Sequence, residues 1–151
     1  MPSLERPRVV LVEDDPSVRR FVEMALEELP IELVSCGDVA QARVALRQQP
    51  AALVITDLML PGESGLSLIE ALANDDRLRA GARIAVFSAG VSAGVQARLE
   101  SLGVWRVLSK PVSLATLEAC VLDALSGDQG GPGATSRGSA APRAAPDVVA
   151  S

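Results

Sequence analysis

Four short polar stretches in this chain of 151 residues each follow an apolar run that is typical of a buried strand. They are Glu13-Asp14, Asp57, Ser88 and Lys110. Carboxylates brought together repel one another, and a hard divalent cation such as Mg²⁺, which prefers carboxylate, water and phosphate oxygens, neutralises them. A serine hydroxyl and a lysine ammonium suit the outer oxygens of a phosphoryl group. These residue types predict phosphoryl chemistry at a magnesium site, provided that the four stretches meet in space.

Each stretch has a structural explanation when it is taken alone. Acids are common partners of helix N-termini, Ser88 is a turn-forming residue, and a lysine such as Lys110 usually extends into solvent. Lys110 is also the only lysine, against thirteen arginines, which hints at a position that needs a compact ammonium. Independent surface charges have no reason to follow strand ends, so the joint pattern favours a functional site.

Apolar runs alternate with helical patterns along the chain, which indicates βαβ units and a parallel sheet. Five helices are predicted; the first is capped by Asp15, starts at Pro16 and continues to Leu29, a turn at residues 61–62 precedes the third, and Ser113 caps the last. The predicted strands are residues 9–12, 31–36, 53–56, 84–87 and 104–108. We therefore predict an α/β fold, a (βα)5 doubly wound, flavodoxin-like parallel sheet of order 2-1-3-4-5, with a ligand crevice beyond strands 1 and 3.

The composition argues against several function classes. The chain has no histidine, which excludes histidine metal sites and Ser-His-Asp or Cys-His catalysis. A net charge of −5 and 2% aromatic residues argue against direct nucleic-acid binding. No apolar run approaches a membrane span and no signal peptide opens the sequence, so we expect a soluble, cytoplasmic protein. Cys36 and Cys120 lack CxxC spacing and lie in apolar elements, where we expect both to be structural.

The length predicts one domain, residues 8–126, preceded by an N-terminal extension of residues 1–7. From Gly127 onward the chain consists of Gly, Ala, Pro, Ser and Arg without periodicity, which predicts a disordered tail over residues 127–151. An inert tail is the favoured interpretation, and a short docking motif at Val148-Val149 is the alternative. Since no second domain is predicted after the last helix, we expect the output to act through a partner protein or an onward relay.

Residues 9–125 resemble the receiver domains of response regulators in two-component signalling. The most specific stretch, residues 56–65 (TDLMLPGESG), is similar to the phosphoacceptor turn of that family. Residues 12–15 resemble its acidic strand-1 motif, residues 87–89 its hydroxyl motif, and residues 109–111 its lysine motif. All four motifs occur in order and at the spacing of the family.

The resemblance implies that Asp57 is the nucleophile that takes a phosphoryl group from a phosphohistidine. The donor would be a sensor histidine kinase or a histidine phosphotransfer protein, and Mg²⁺ and Lys110 would hold the equatorial oxygens during in-line attack. The implied metal site comprises Glu13 through a water molecule, Asp14, Asp57 and the main-chain carbonyl of Met59.

The same resemblance implies that Ser88, with Ala89 beside it, and Lys110 bind the phosphoryl oxygens, and that the Lys110-Pro111 bond is cis. Phosphorylation would then shift a two-state equilibrium of the face formed by the fourth predicted helix, strand 5 and the last helix. This chain departs from the family at Val107, three positions before the lysine, where an aromatic residue is usual. Trp105 is nearby, and we interpret it as a packing residue, with partner contact as the alternative.

Two other functions are consistent with parts of the pattern. A hydrolase with an aspartyl nucleophile would want a second carboxylate two residues after Asp57, where this chain has Met59. A degenerate receiver that only binds proteins would be expected to lack a motif residue, and none is missing. We therefore favour a phosphoryl-accepting module that is not an enzyme beyond its own phosphoryl transfer and autodephosphorylation.

Overall fold

The computed structural model describes residues 6–60 and 62–126. The predicted tail of residues 127–151, residues 1–5 of the predicted extension and Pro61 of the predicted turn lie outside the described residues. Within the described ranges, strands and helices alternate from Arg8 to Leu125, except that two helices in succession follow the third strand.

Five parallel strands form one sheet in the order β2-β1-β3-β4-β5, which confirms the predicted fold class. Their short runs are rich in Val, Ile and Leu, the residue types that fit a strand covered on both faces. The strands are β1 (Arg8–Val12), β2 (Glu32–Cys36), β3 (Leu53–Asp57), β4 (Arg83–Ser88) and β5 (Arg106–Ser109).

Six helices lie within the described ranges, one more than the sequence predicts. They are α1 (Pro16–Ala25), α2 (Val39–Gln48), α3 (Gly65–Asn74), α4 (Asp76–Arg79), α5 (Ala93–Ser101) and α6 (Leu114–Leu125). Each begins after an Asp or Ser whose side chain accepts a main-chain N–H of the first turn, including Asp15 and Ser113 as predicted. The face predicted from the fourth helix, strand 5 and the last helix is therefore the one formed by α5, β5 and α6.

Two apolar cores lie on opposite faces of the sheet because neighbouring residues of a strand point to opposite sides. In β3, Val54 packs into the core under α2, α3 and α5, whereas Leu53 and Ile55 pack into the core under α1 and α6. Every residue of β3 is buried. The predicted burial on both faces is therefore confirmed, and it leaves the strand ends as the place for polar side chains.

The largest differences from the prediction are one missed helix and the bounds of the fifth strand and the first helix; the bounds of strands 1 to 4 differ by no more than one residue at either end. The short α4 was missed because four residues carry no periodic pattern; Asp75 caps it and Leu78 is buried. The fifth strand begins at Arg106 rather than Val104, since the Val104 N–H donates to the Leu99 carbonyl and completes the turn after α5. Helix α1 ends at Ala25 rather than Leu29. The apolar residues that follow it, Leu26 and Leu29, lie in turns and bends instead of a further helical turn. None of the helices in the described part of the chain has the length and hydropathy to cross a membrane.

Candidate functional site

The carboxyl ends of β1, β3 and β5 bring the predicted charged residues into direct contact. The Lys110 ammonium lies 2.6 Å from Asp57 Oδ2 and 3.1 Å from Glu13 Oε1. Asp57 is 6% exposed and Glu13 only 1%, so both carboxylates are taken almost entirely out of water. A buried carboxylate needs such a partner, because desolvation of an unpaired charge is costly.

Glu13, Asp14 and Asp57 form an acidic cluster in which each side chain offers an oxygen within 4.8 Å of the others. Burial raises the pKa of Glu13, and the Asp57 charge adds to this, while the Asp15 N–H and Lys110 oppose the rise. Asp14 is exposed at the mouth of the cluster. The ligand atoms of this cluster are all hard oxygens, and the exposed Asp14 is open to solvent water, so the donor set fits Mg²⁺.

The charges of the cluster do not balance among themselves. Three carboxylates and the Lys110 ammonium leave two negative charges, which a divalent cation would neutralise. Burial acts to lower the pKa of Lys110, but its hydrogen bonds to Asp57 and Glu13, with their charges, outweigh burial and raise it. Lys110 therefore remains a cation at neutral pH.

Asp57 is held by the turn that follows β3. Its Oδ1 accepts the Met59 N–H at 3.1 Å, and its main-chain carbonyl accepts the Thr56 hydroxyl at 2.9 Å. Met59 is 82% exposed, and the contact it makes with the acidic cluster is through its main-chain N–H. One oxygen of Asp57 thus bonds to the turn while the other faces Lys110.

Gly65 is a residue of this site to which the sequence analysis assigned no role. It is the first residue of α3, and a Cβ atom added there would lie 1.9 Å from the Asp57 carbonyl oxygen. The start of α3 can approach β3 this closely only because residue 65 has no side chain. The signal was present, since Gly65 closes the phosphoacceptor motif, but the contact depends on a distance between two elements.

Ser88 is buried at the end of β4, where its carbonyl accepts the Lys110 N–H at 2.8 Å. Its hydroxyl accepts the Gly90 N–H at 3.0 Å instead of contacting the acidic cluster. Ala89 is exposed beside it, and the Lys110-Pro111 peptide bond is cis.

Val107 lies on β5, partly buried against the core under α2, α3 and α5. Trp105 packs against the opposite core, and its ring stacks with the guanidinium groups of Arg83 and Arg106. These contacts favour the packing interpretation of Trp105 over partner contact.

A groove of about 510 Å³ opens beside Lys110, between α1 and the β5–α6 connection. Most of its walls are apolar, and it is bounded by Ser17, Val18, Phe21, Val22, Phe87, Lys110, Pro111 and Val112. A partner that reaches Asp57 from this side would therefore bury apolar surface as it docks.

A doubly wound sheet with an acidic cluster and a lysine at its carboxyl edge defines the signal-receiving modules of two-component systems. This chain belongs to the response regulator receiver domain family, whose sequence model matches residues 9–122. Within two-component signalling, such domains act as signalling modules rather than as classical enzymes.

Individual relatives differ in how much of their length this chain matches. It is 30% identical to the probable chemotaxis protein CheY of Rhizobium etli, over 78% of this chain and 91% of that one. It is also 30% identical to the response regulator protein PilR of Pseudomonas aeruginosa, over 81% of this chain but only 27% of PilR. A solved response regulator receiver protein from Pseudomonas putida, 33% identical, aligns with a TM-score of 0.72 over 78% of this chain and 97% of that one.

Proposed function

We propose that this chain accepts a phosphoryl group on Asp57 in a Mg²⁺-dependent step and passes the signal to a protein partner. The observation that carries this proposal is the position of Asp57: a nearly buried carboxylate, 2.6 Å from the only lysine and within one acidic cluster with Glu13 and Asp14. Residues 8–126 form the proposed functional unit, acting in the cytoplasm.

Each residue of the site has a proposed role. Asp14, Asp57 and the Met59 carbonyl would hold Mg²⁺ directly, and Glu13 would hold it through water. The bound ion would supply positive charge against the phosphoryl oxygens. Lys110 pairs with one of the phosphoryl oxygens. The Ser88 hydroxyl and the loop at Ala89 bind another.

In the proposed reaction an Asp57 carboxylate oxygen attacks the phosphorus of a phosphohistidine on a donor kinase or phosphotransfer protein. A P–O bond forms and the P–N bond breaks, and the imidazole nitrogen keeps the electron pair of that bond. The apolar groove beside Lys110 supports a protein donor, since it offers a docking surface next to the nucleophile. Lys110 already lies beside the Asp57 carboxylate, so it needs little rearrangement to pair with the phosphoryl group that Asp57 accepts.

The proposed switch begins at Ser88. Its hydroxyl accepts the Gly90 N–H before phosphorylation, so a turn toward the phosphoryl group releases that N–H and the loop that leads into α5. Lys110 N–H and Ser88 O already join β5 to β4 at this point. The face formed by α5, β5 and α6 is therefore the proposed output surface for a downstream protein or an onward relay.

Intact-mass spectrometry after incubation with acetyl phosphate tests the proposal. We expect the wild type to gain one phosphoryl group with MgCl₂ and none with EDTA, and Asp57→Asn to gain none under either condition. Asp76→Asn, at an exposed aspartate in the first turn of α4, is the matched control and should gain the group like the wild type.

A wild type that gains no mass from acetyl phosphate or from a phosphorylated histidine kinase would overturn the proposal. It would leave a degenerate receiver that acts only by binding proteins. Equal gain by the wild type and Asp57→Asn would place the phosphoryl group on another residue.

A further inference from the structure

Arg19, on the first turn of α1, contacts the acidic loop without using its carboxylates. Its Nη1 donates to the main-chain carbonyl of Glu13 at 2.8 Å and to that of Asp14 at 3.2 Å. These two oxygens belong to the residues whose side chains face Asp57 in the acidic cluster. One guanidinium nitrogen therefore donates hydrogen bonds to the main chain of both Glu13 and Asp14.

The placement of Arg19 follows from the start of its helix. Asp15 caps α1, accepting the Ser17 N–H at 2.8 Å through its side chain and the Arg19 N–H at 3.0 Å through its carbonyl. This fixes Arg19 one turn into the helix, from where its long side chain folds back over residues 13–15. Gly37 lies close by, since a Cβ atom there would be 3.5 Å from Arg19 Nη1.

The loop needs such a donor because β1 ends at Val12. The Glu13 N–H still donates to the Cys36 carbonyl at 2.9 Å, but the ladder to β3 stops at Val12, so the carbonyls of Glu13 and Asp14 take their donor from a side chain. The Asp14 carboxylate is exposed, so its direction depends on the backbone that carries it.

We propose that Arg19 is a positioning residue for the magnesium site: by holding the two carbonyls it fixes the direction in which Glu13 and Asp14 present their carboxylates. The inference rests on the proposed function, since it requires that the acidic cluster bind Mg²⁺. Outer-shell partners of metal ligands characteristically act in this way, and their loss weakens metal binding.

An effect of the Arg19 charge and a positioning effect of Arg19 would change the affinity for Mg²⁺ in opposite directions. A guanidinium near the cluster repels a cation, so if Arg19 acted only by its charge, its removal would tighten Mg²⁺ binding. If Arg19 positions the loop, its removal weakens binding. Arg20, the next residue, is exposed on the same helix. Its substitution by methionine removes an equal charge and serves as the control.

The experiment is a titration of the ¹⁵N-labelled protein with MgCl₂ at constant ionic strength, followed by NMR. We expect Arg19→Met, which keeps the apolar stem, to bind Mg²⁺ about tenfold more weakly than the wild type. Arg20→Met should bind within about twofold of the wild type or slightly more tightly. In the metal-free protein, hydrogen exchange at the Asp15 amide should be faster in Arg19→Met than in Arg20→Met.

Each remaining outcome decides between the explanations. Arg19→Met binding as tightly as the wild type, or more tightly, overturns the positioning role while leaving the proposed function intact. A wild type that does not bind Mg²⁺ overturns both. If Arg19→Met does not fold, Arg19→Gln decides, because it also removes the charge and its side chain is too short to replace the Nη1 donor: weaker binding supports positioning, and unchanged or tighter binding overturns it.

Discussion

The Lys110 ammonium lies between two carboxylates that are almost fully buried, those of Asp57 and Glu13. This position accounts for the only lysine of the chain. A compact ammonium reaches Asp57 and Glu13 from one point, whereas a guanidinium is broad and planar and donates as a fork. At this scale the site depends on atoms that fit into narrow spaces, such as the space between Gly65 and the Asp57 carbonyl.

Gly65→Ala tests that space. The new methyl group would lie 1.9 Å from the Asp57 carbonyl oxygen, and backbone atoms on both sides must move. We expect the free energy of unfolding in urea to fall by about 3 kcal/mol. Phosphorylation by acetyl phosphate should slow by about ten- to a hundredfold, because the nucleophile shifts with its backbone.

Gly94→Ala is the matched control for this substitution. A Cβ atom at Gly94, which is exposed in the first turn of α5, meets only Ser92 Oγ at an ordinary 3.9 Å, and we expect no loss of stability and an unchanged rate. A Gly65→Ala protein as stable and as fast as Gly94→Ala would show that α3 does not constrain Asp57.

At the scale of elements, the connection between α3 and β4 contains the one non-glycine residue with a positive φ angle among the described residues. Helix α4 has only four residues, and it ends at Ala80, whose φ of 50° is in the left-handed region. Arg79 secures this turn by donating to the carbonyls of Ala82 and Gly103. A residue with a Cβ atom is therefore held in a conformation that suits glycine.

Ala80→Gly should stabilise the protein, since glycine adopts this conformation without the steric cost paid by alanine. We expect a gain of about 0.5–1 kcal/mol in the free energy of unfolding, after the greater entropy of glycine in the unfolded chain is subtracted. Urea denaturation followed by circular dichroism measures it.

The control is the same substitution at an exposed position inside a helix. Ala97→Gly in α5 should lower stability by about 1 kcal/mol, the usual cost of glycine in a helix interior. If Ala80→Gly lowers stability as Ala97→Gly does, the left-handed conformation at residue 80 costs the protein nothing.

At the scale of the whole molecule, both cysteines belong to the two apolar cores. Burial raises the pKa of the Cys120 thiol to about 11 and also raises that of Cys36. Below pH 9 the native and unfolded chains both keep the Cys120 proton. Between pH 9 and 11 the unfolded chain releases it and the native chain does not, so stability is lost across this interval.

We expect Cys120 to account for about 3 kcal/mol of alkaline destabilisation, at about 1.4 kcal/mol for each pKa unit. Urea midpoints measured from pH 8 to 11 should fall more steeply for the wild type than for Cys120→Ala. Cys36 and Lys110 titrate in both proteins, so the difference in slope isolates Cys120. Parallel slopes would mean that the buried thiol does not resist ionisation.

The strand order was predictable from the alternation of strand and helix patterns, and the meeting of Glu13, Asp57 and Lys110 was predictable from their places at strand ends. Other features depend on packing that no local pattern carries. The fold-back of Arg19 onto the loop after β1 and the close approach of Gly65 in α3 to Asp57 depend on how the cores place neighbouring elements. Val104 is apolar like a strand residue, yet its N–H completes the turn after α5.

Trp105 is the only tryptophan in a chain that has no tyrosine, so the ultraviolet emission of the molecule comes from a single indole ring. That ring lies 4.0 Å from the Arg106 guanidinium carbon and 5.1 Å from that of Arg83, at the entry to β5. The intensity and wavelength of its fluorescence therefore report on one small region beside the proposed output surface. The protein carries an optical probe, without any attached dye, at the place where its signal is proposed to leave.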